Sequence, residues 1–549
     1  MRTARSSLIL TVIGLVAALF AASAEARLAY VGNVSGGVSA IDTATNQAIE
    51  VPDGNRLIQA GVAPRGIALT PDGKFAYVAN GAGVSVIDTA TNRAIDFPDG
   101  GKLIKTGGGT LGIAITPDGR FAYVTHEIGG VSVIDTATNR AIEVPDGNKL
   151  IKTGNGFDVA ITPDGKFAYV ANGSGGVSVI DTATNQTVEV PEGNKLIQAA
   201  SSATGVAITP DGRFAYVTSF GASGVFVIDI ATNRPVRFSQ GETLIPVGPE
   251  PREIAVTPNG RFAYVTHLKS GVSVIDTATN RAIEVPDGNM QINAGTGSAG
   301  LAVTPDGRFV YVTNLAGGVF VIDTATNRKI AVPDGNSISA GTNPVTVAIA
   351  PNQPPLAFFR SDRARPGVPV TFDATLSRDP DSPIASYAWS FGDGGSQTLT
   401  SPTVSHVFAP GVYQVTLRES DAEGCSTPET FSYLSSSVLC NGKPSAQITR
   451  TIEVAYPGVN LRCPKRVRRG GCSIKLFAIS RKPRKDHRAK PESGVVKVRL
   501  GARKSVGVIL RPKPAFAAKL AAASRILVKE TVRARGTTTV RYPRLRVVQ

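Results

Sequence analysis

A unit of about 47 residues recurs seven times between residues 28 and 352, and this repeat limits the fold more than any other feature. Its clearest marker is Ile-Asp-Thr-Ala-Thr-Asn, which reads Ile-Asp-Ile-Ala-Thr-Asn in the fifth copy. The Asp of this marker stands at positions 42, 88, 135, 181, 229, 276 and 323. A Thr-Pro-Asp/Asn-Gly turn and a Tyr-Val pair recur in step with it. A period of roughly 20–50 residues is typical of a solenoid, a propeller or an array.

Each repeat consists of strand and turn signals only. In the second copy we expect four short strands, at 66–69, 75–78, 84–87 and 94–97. The first two are joined by residues 70–73, where Pro presets φ, Asp bonds back to the backbone and Gly accepts a positive φ. Four short strands without a helical period predict one propeller blade, so seven copies predict seven blades. A β-solenoid is the alternative, although its coils are usually shorter.

The two ends of the repeat region predict how the ring closes. The first copy begins at Tyr30, in the second strand of a blade, with no Thr-Pro-Asp-Gly turn before it. The last copy is followed by residues 344–351, which read as a first strand without a blade of its own. We expect this segment to pair with the strand near Leu28, because that pairing removes two exposed sheet edges.

The repeat resembles a known family. Tyr-Val-Thr-Asn at 311–314, with Thr-Pro-Asp-Gly at 304–307 and Val-Ile-Asp-Thr-Ala-Thr-Asn at 321–327, is similar to the YVTN-type β-propeller repeat of bacterial and archaeal surface proteins. The resemblance covers about 325 residues. It implies the seven-bladed fold and says little about activity. The wider seven-bladed group includes surface-layer components, lactonases and amine-dehydrogenase heavy chains.

The segment after the repeats carries a second strand pattern. Residues 369–374, 386–394 and 411–417 alternate apolar and polar side chains, which indicates a small β-sandwich with Trp389 in its core. The Trp-x-Phe-Gly-Asp-Gly stretch resembles the polycystic-kidney-disease (PKD) domain, in which the positions of Asp393 and Gly394 serve a turn. Such a domain implies a spacing or binding role at cell surfaces or in secreted enzymes.

The N-terminus predicts export. Arg2 and Arg5 precede an apolar stretch at 8–22, and small residues at 22–26 offer cleavage sites, which together predict a secretory signal peptide. An uncleaved anchor is the alternative, although the stretch is shorter than the roughly 20 residues of a membrane span. No later stretch is apolar enough to span, so we expect no membrane span after cleavage.

Four cysteines fit an exported chain, because an even number favours disulfide bonds. All lie in the last third of the sequence, at Cys425, Cys440, Cys463 and Cys472. Three connectivities are possible. We favour Cys425–Cys440 and Cys463–Cys472, since each of these pairs closes a short loop.

The net charge of +16 is unevenly distributed. Residues 456–549 hold 26 Lys and Arg and three acids, a net +23, so the rest of the chain carries −7. Apolar and basic residues alternate in this segment, which indicates a half-buried sheet with a cationic outer face. Three interpretations remain open: attraction to an anionic cell-envelope polymer or glycan, a soluble basic face without a dedicated partner, and nucleic acid. The last is disfavoured outside the cell and by the few aromatic residues.

Candidate chemistry is sparse. His126 and His267 occupy one repeat position, where most other copies carry Asn, and are candidates for a channel mouth; a tolerant polar strand end is the alternative. No Gly-x-Ser-x-Gly, His-Glu-x-x-His or phosphate-loop motif occurs, and no catalytic residue, cofactor or metal is predicted.

The similarity of the copies favours a scaffold or a repetitive binding surface. We expect an all-β protein with a signal peptide (1–26), a seven-bladed propeller (27–352), a PKD-like sandwich (353–455) and a basic β-rich domain (456–549). The predicted function is a secreted or cell-surface binding or structural protein with an unknown protein or glycan ligand. A lactonase-type hydrolase that uses the propeller channel is the alternative.

Overall fold

The structure is a computed structural model in which strands dominate. The residues that it describes are 27–52, 56–97, 100–145, 147–173, 175–193, 195–198, 202–238, 241–351, 353, 355–379, 383–421, 435–436, 445–454, 458–462, 472–478, 496–500, 505–509, 525–534, 537–541 and 544–548. The predicted signal peptide, Cys425, Cys440 and Cys463 lie outside these residues. Cys472 begins a strand, and its side chain is not described.

Seven antiparallel sheets, each of four main strands, form the blades of a propeller. The first strands of blades 1 to 7 are Pro344–Ile349, Pro64–Leu69, Thr110–Ile115, Gly156–Ile161, Ala203–Ile208, Pro251–Val256 and Ser298–Val303. The second strands are Leu28–Asn33, Phe75–Asn80, Phe121–His126, Phe167–Asn172, Phe214–Ser219, Phe262–His267 and Phe309–Asn314. The third strands are Val38–Asp42, Gly83–Asp88, Gly130–Asp135, Gly176–Asp181, Gly224–Asp229, Val272–Asp276 and Gly318–Asp323.

The fourth strand of each blade is shorter than the sequence predicts. These strands are Gln47–Ala48, Arg93–Ala94, Arg140–Ala141, Gln186–Thr187, Arg234–Pro235, Arg281–Ala282 and Arg328–Lys329. In blade 2 the pairing stops at Ala94, whereas the apolar pattern predicts a strand at 94–97. A short outer strand limits the row of unpaired backbone groups at the sheet edge. Blade 5 has an additional outer strand, Leu244–Pro246, which pairs with its third strand.

The ring closes as predicted. Pro344–Ile349 pairs antiparallel with Leu28–Asn33, with Ala29 opposite Ile349 and Val31 opposite Val347. Blade 1 therefore takes its first strand from the end of the repeat region and its other three strands from the beginning. The first strands of all seven blades contact one another in sequence around the ring, and this innermost circle surrounds the propeller axis. The two-residue strand Ser435–Ser436 pairs in parallel with Leu301–Ala302 of the blade 7 first strand. It also lies beside the first strands of blades 1, 5 and 6, so it occupies part of the axis inside the ring.

Neighbouring blades are joined by one hydrogen bond that recurs seven times. The buried Tyr hydroxyl of the second strand donates to the side-chain oxygen of the Asn that ends the Thr-Ala-Thr-Asn turn of the next blade. The pairs are Tyr30–Asn92, Tyr77–Asn139, Tyr123–Asn185, Tyr169–Asn233, Tyr216–Asn280, Tyr264–Asn327 and Tyr311–Asn46. Each of these Asn residues has φ between 51° and 54°, a left-handed conformation that Asn tolerates better than most residues. The bond and the backbone together account for the Tyr and Asn of the repeat.

Most of the PKD-like segment lies in a second compact unit and forms two sheets. One contains Arg360–Ser361, Pro369–Asp373 and Thr403–Val407; the other contains Ser396–Leu399, Ile384–Ser390, Gly411–Asp421 and Ser445–Val454. Trp389 is buried between them as predicted, and its ring lies 5.2 Å from that of Phe359. Phe372 contacts both of these rings.

The basic segment is also β-rich. Its strands are Gly458–Arg462, Cys472–Ala478, Val496–Leu500, Ser505–Ile509, Arg525–Ala534, Thr537–Arg541 and Arg544–Val548, and they form one seven-stranded sheet. The only helical turn in the described part of the chain is the 3₁₀ segment Pro191–Gly193. Within those same residues, no helix has the length and apolar character that crossing a bilayer requires.

Candidate functional site at the axial opening

Every innermost strand contains an irregularity at its start. In blade 2, Pro64 pairs with Asn80 and Gly66 with Ala79, so that Arg65 is an extra residue in the ladder. The register shifts at the equivalent place in the other six blades. A bulge of this kind turns a side chain away from its regular direction and is frequent beside functional sites. The seven bulges form a ring at the end of the propeller axis where the first strands begin.

The second residue of each innermost strand differs from blade to blade. These seven residues, which we call the mouth ring, are Val345, Arg65, Leu111, Phe157, Thr204, Arg252 and Ala299 in blades 1 to 7. The fifth residue of the same strand, by contrast, is a buried Ala in every blade. The repeat is therefore uniform where the blades pack and variable where they surround the axis.

Part of the mouth ring is accessible to solvent. Arg65, Phe157, Thr204 and Arg252 are half-buried, although their strands are innermost and have a blade on each side. Leu111 packs against Phe157 from the neighbouring blade. The Phe157 ring lies over the turn that follows the second strand of its own blade, because a Cβ atom at Gly173 would approach it to 2.2 Å.

Two carboxylates lie beside the mouth ring. Asp158 and Glu253 occupy the third position of their strands, where four other blades have Gly, and both are fully buried. Asp158 accepts hydrogen bonds from the backbone N–H of Val159 and from that of Val206 in the next blade, each at 2.8 Å. Its two carboxylate oxygens therefore satisfy backbone N–H groups at the bulge, and the bond to Val206 joins blade 4 to blade 5.

In four blades the next-to-last residue of the second strand is Thr, and its hydroxyl group forms a hydrogen bond with the backbone of the bulge. Thr218 accepts the N–H of Gly205 at 2.7 Å and donates to the carbonyl of Arg252 in the next blade at 2.9 Å. The equivalent bonds to the bulge N–H come from Thr125, Thr266 and Thr313. This Thr of the Tyr-Val-Thr motif therefore fixes the backbone on which the mouth ring stands.

Both predicted histidines are buried within the blades. His126 contacts the carbonyl of Gly108 at 3.1 Å and Ser132 Oγ at 2.9 Å, and His267 makes the same pair of contacts with Pro249 and Ser273. Burial lowers the pKa of His126, and it lowers the pKa of His267 to about 4.

In blades 1, 2 and 4 the equivalent Asn donates a hydrogen bond to the Ser at the corresponding position of its own blade. The histidines thus replace Asn in a hydrogen bond between the second and third strands. Among the described residues, no three His, Cys, Asp or Glu side chains come together as a metal site.

The predicted turn of the PKD-like segment contains a bonded pair. Asp393 Oδ2 lies 2.7 Å from His406 Nε2, and Asp393 Oδ1 accepts the N–H of Gly395 at 2.9 Å. The hydrogen bond from His406 holds the pKa of Asp393 below its ordinary value. The His406 ring stacks on Phe391 at 3.9 Å, so the pair fixes the turn to the sandwich core.

Sequence reasoning missed the mouth ring. The prediction from the sequence relied on the similarity of the copies, whereas the candidate binding residues lie in a column in which the copies differ strongly. Aligning the copies by their Tyr-Val pair reveals this column at 65, 111, 157, 204, 252 and 299, and the strand that closes blade 1 adds 345. The sequence alone does not reveal that a bulge exposes it, because a bulge depends on the pairing register.

Comparison with known proteins identifies the two folded parts. The family model described as "Lactonase, 7-bladed beta-propeller" matches residues 101–358, and that of the PKD domain matches residues 352–434. A microbial collagenase from Vibrio alginolyticus is 33% identical over 78 residues, which are 14% of this chain and 10% of the collagenase. The matched segment thus spans about a tenth of that relative.

Three solved structures are similar to part of this chain. Hydrazine synthase from Kuenenia stuttgartiensis is 25% identical, with a TM-score of 0.43 over 53% of this chain and 90% of that chain. A functionally unknown protein from Desulfotomaculum acetoxidans is 16% identical, with a TM-score of 0.46 over 59% and 99%. A candidate 6-phosphogluconolactonase from Bacteroides fragilis is 17% identical, with a TM-score of 0.46 over 60% and 99%. With its seven sheets, closed ring and two family matches, the chain is a seven-bladed β-propeller followed by a PKD domain.

Proposed function

We propose that this protein is an exported binding protein whose ligand sits on the mouth ring of the propeller. The observation that carries the proposal is the contrast between seven nearly identical blades and seven bulges that carry six different residue types. A scaffold alone needs no such variation. Variable side chains that a rigid scaffold exposes to solvent are common components of binding sites.

The mouth ring also has the mixed chemistry of a binding site. Leu111 and Phe157 supply apolar contact area, Thr204 a hydroxyl group, and Arg65 and Arg252 positive charge. An apolar wall with a few polar groups fixes both the affinity and the orientation of a small ligand. In blades 3, 5, 6 and 7 the bulge backbone is fixed by the threonine bonds, so little ordering entropy is lost there on binding.

A binding screen on the full mature chain tests this proposal. Glycans, peptides and small acids are the probes, and every hit is titrated against the double variant Phe157→Ala/Arg252→Ala. The matched control is Met290→Ala/Arg281→Ala, an apolar residue and an arginine on the outer rim of blades 5 and 6. We expect at least a tenfold loss of affinity for the mouth variant alone. Equal affinity in both variants would reject the mouth ring as the binding site.

Export and attachment to the envelope form the second part of the proposal. The signal-type N-terminus and the PKD domain fit a protein that works outside the cell. The net +23 of residues 456–549 fits attraction to an anionic envelope polymer, which salt should weaken by screening.

Four substitutions test the attachment in the full chain. Lys465, Arg466, Arg468 and Arg469 are changed to Gln, and the control removes four exposed propeller charges at Lys102, Lys149, Lys152 and Lys195. We expect retention on cell envelopes to fall with salt and to fall at constant salt only in the first variant. Retention that is independent of both would contradict electrostatic attachment.

A lactonase-type hydrolase is the second candidate, favoured by the family match over residues 101–358. The same mouth ring would then hold the lactone. Saturable hydrolysis of a lactone panel by the purified chain, lost in the Phe157→Ala/Arg252→Ala variant and kept in the rim control, would establish this activity in place of simple binding. No turnover above the uncatalysed rate in either the parent chain or the rim control would leave binding as the function.

A further inference from the structure

Blade 7 differs from the other blades beside the seam where the ring closes. A surface groove of about 580 Å³, which we call the seam groove, lies there and is lined by residues 315–318, 334, 337, 339 and 341–344. From its lining we infer that the seam groove binds a neutral sugar unit. This inference goes beyond the proposed function, because the seam groove and the mouth ring share no residue.

The outer loop of blade 7 is one residue shorter than the same loop in the other six blades. This loop leads from the fourth strand to an Ile that pairs with the third strand. In blade 6 it runs from Val285 to Ile292, and in blade 7 only from Val332 to Ile338. The N–H of Val285 donates to the carbonyl four residues further on, whereas that of Val332 donates to Gly335, three residues further on. The deletion therefore tightens the turn beside the seam.

The shorter loop also lacks the leucine that covers the neighbouring hairpin in other blades. A Leu precedes the paired Ile in blades 1 to 5, at positions 57, 103, 150, 196 and 244. In blade 3, a Cβ atom placed on Gly129 would lie 3.1 Å from Leu150 Cδ1, so the leucine packs directly on this hairpin. Blade 7 has Ser337 instead, and its Oγ donates to the carbonyl of Gly317 at 2.6 Å. A small hydroxyl group thus stands where other blades have an apolar cover.

The polar groups of the seam groove suit a ligand that carries several hydroxyl groups. Ser339, Thr342 and Asn343 are exposed along one wall, and Asp334 is exposed on the other. A carboxylate accepts hydrogen bonds, an amide donates and accepts them, and a serine or threonine hydroxyl does both. None of the described lining residues carries a positive charge, so the groove offers no counter-charge to an anion. Neutral sugar hydroxyls match this set because each of them can donate and accept.

The walls of the groove are held in place, and one of them is apolar. The half-buried Leu315 lies over Gly297, where an added Cβ would approach its Cβ to 3.3 Å. This side chain can contact the C–H face of a sugar ring, and the polar groups around it would fix the orientation of the ring. On the other side, the N–H of Val34 donates to the carbonyl of Asn343 at 3.1 Å, and the Asn343 amide donates to Ser35 Oγ at 3.2 Å. A wall that is already fixed loses little entropy when a ligand binds.

Ligand-observed NMR titration of the full mature chain tests this inference. The probes are the methyl glycosides of glucose, galactose and mannose, and the uronide of each sugar. We expect at least one neutral glycoside to bind with a Kd below about 10 mM. Its uronide should bind at least threefold more weakly, because its carboxylate is repelled by that of Asp334. Asp334→Asn should remove this difference.

Ser337→Leu restores the leucine of blades 1 to 5 and should weaken the neutral glycoside at least tenfold. The matched control is Gln291→Leu, the same change at the same position of blade 6, which should leave the affinity unchanged. A melting temperature within about 2 °C of the parent confirms that each variant is folded. Binding of no neutral glycoside at about 10 mM, unchanged affinity in Ser337→Leu, or a uronide that binds as tightly as the neutral sugar would overturn the inference.

The seam groove and the mouth ring fail in different ways. If the glycoside is lost in the Phe157→Ala/Arg252→Ala variant and kept in Ser337→Leu, the sugar belongs to the mouth ring, and only the seam inference is wrong. If the glycoside is lost in Ser337→Leu and kept in the mouth variant, the seam groove is its site. The mouth ring is then rejected only if every other ligand from the screen also binds the mouth variant as tightly as the rim control.

Discussion

The hydrogen bond between Tyr77 and Asn139 should contribute measurably to the stability of the ring, and a double-mutant cycle can isolate it. The Tyr77 hydroxyl lies 2.5 Å from Asn139 Oδ1 of the next blade, and the tyrosine is almost fully buried. Tyr77→Phe removes the hydroxyl and keeps the ring packing. Asn139→Gly removes the acceptor and keeps access to the observed φ of 54°, which glycine adopts without strain.

The magnitude follows from the surroundings of the bond. A net hydrogen bond contributes about 1 kcal/mol, and Asn139 is half-exposed, so water can replace part of what is lost. We therefore expect each single variant to lose about 1 kcal/mol and the two to be coupled by about 1 kcal/mol. Asn139→Ala should lose roughly a further 1–2 kcal/mol, because alanine is strained at this φ.

Calorimetry and denaturant unfolding, followed by far-ultraviolet circular dichroism, measure these changes. For a unit larger than about 150–250 residues, 1 kcal/mol corresponds to roughly 2 °C in the melting temperature. The matched control is Tyr413→Phe in the PKD domain, which should leave the ring transition unchanged. A coupling energy below about 0.3 kcal/mol, or an Asn139→Ala variant no less stable than Asn139→Gly, would refute this account of the repeat.

Three further perturbations follow from the structure. Deletion of residues 343–352 removes the first strand of blade 1 and should lower the melting temperature of the whole ring, so an unchanged value would reject the closure. His267 has a folded pKa of about 4, below the unfolded value near 6.5, so the free energy of unfolding of the ring should fall by about 3 kcal/mol as the pH drops between these values. In acid unfolding curves, His267→Asn should abolish this loss of stability. Because burial raises the pKa of Glu419 to about 7, the PKD domain should lose stability as the pH rises from about 4.5 to 7. Glu419→Gln should remove this loss, which can be followed by the fluorescence of Trp389, the only tryptophan. Identical stability curves for the variant and the parent would contradict this expectation.

The repeat made most of the propeller predictable. Tight turns such as residues 70–73 and the orphan segment 344–351 were sufficient to predict blades and closure, because both signals are local in sequence. The outer strands were predicted too long, since an apolar pattern such as that at 94–97 does not reveal where an edge stops pairing.

The binding site could be predicted only in part, because its signals are not local. Neither Arg65 nor Arg252 stands out in its own copy. Each becomes significant only because the closed ring places the seven bulges together at one end of the propeller axis. His126 and His267 were candidates because histidine is common in functional sites. In the structure, both replace Asn in a buried hydrogen bond to Ser. Side-chain type at a repeat position thus predicts chemistry poorly until the register is known.

The most direct test of the mouth ring is a hydrogen-exchange footprint of the full chain with a bound ligand from the screen. Amide exchange should slow in the peptides that contain the bulges at 64–66, 110–113, 156–158 and 251–254. It should stay unchanged in peptides from the fourth strands, such as Arg281–Ala282. Protection confined to the fourth strands and the outer rim, with none at the bulges, would contradict the assignment of the ligand to the axis of the propeller.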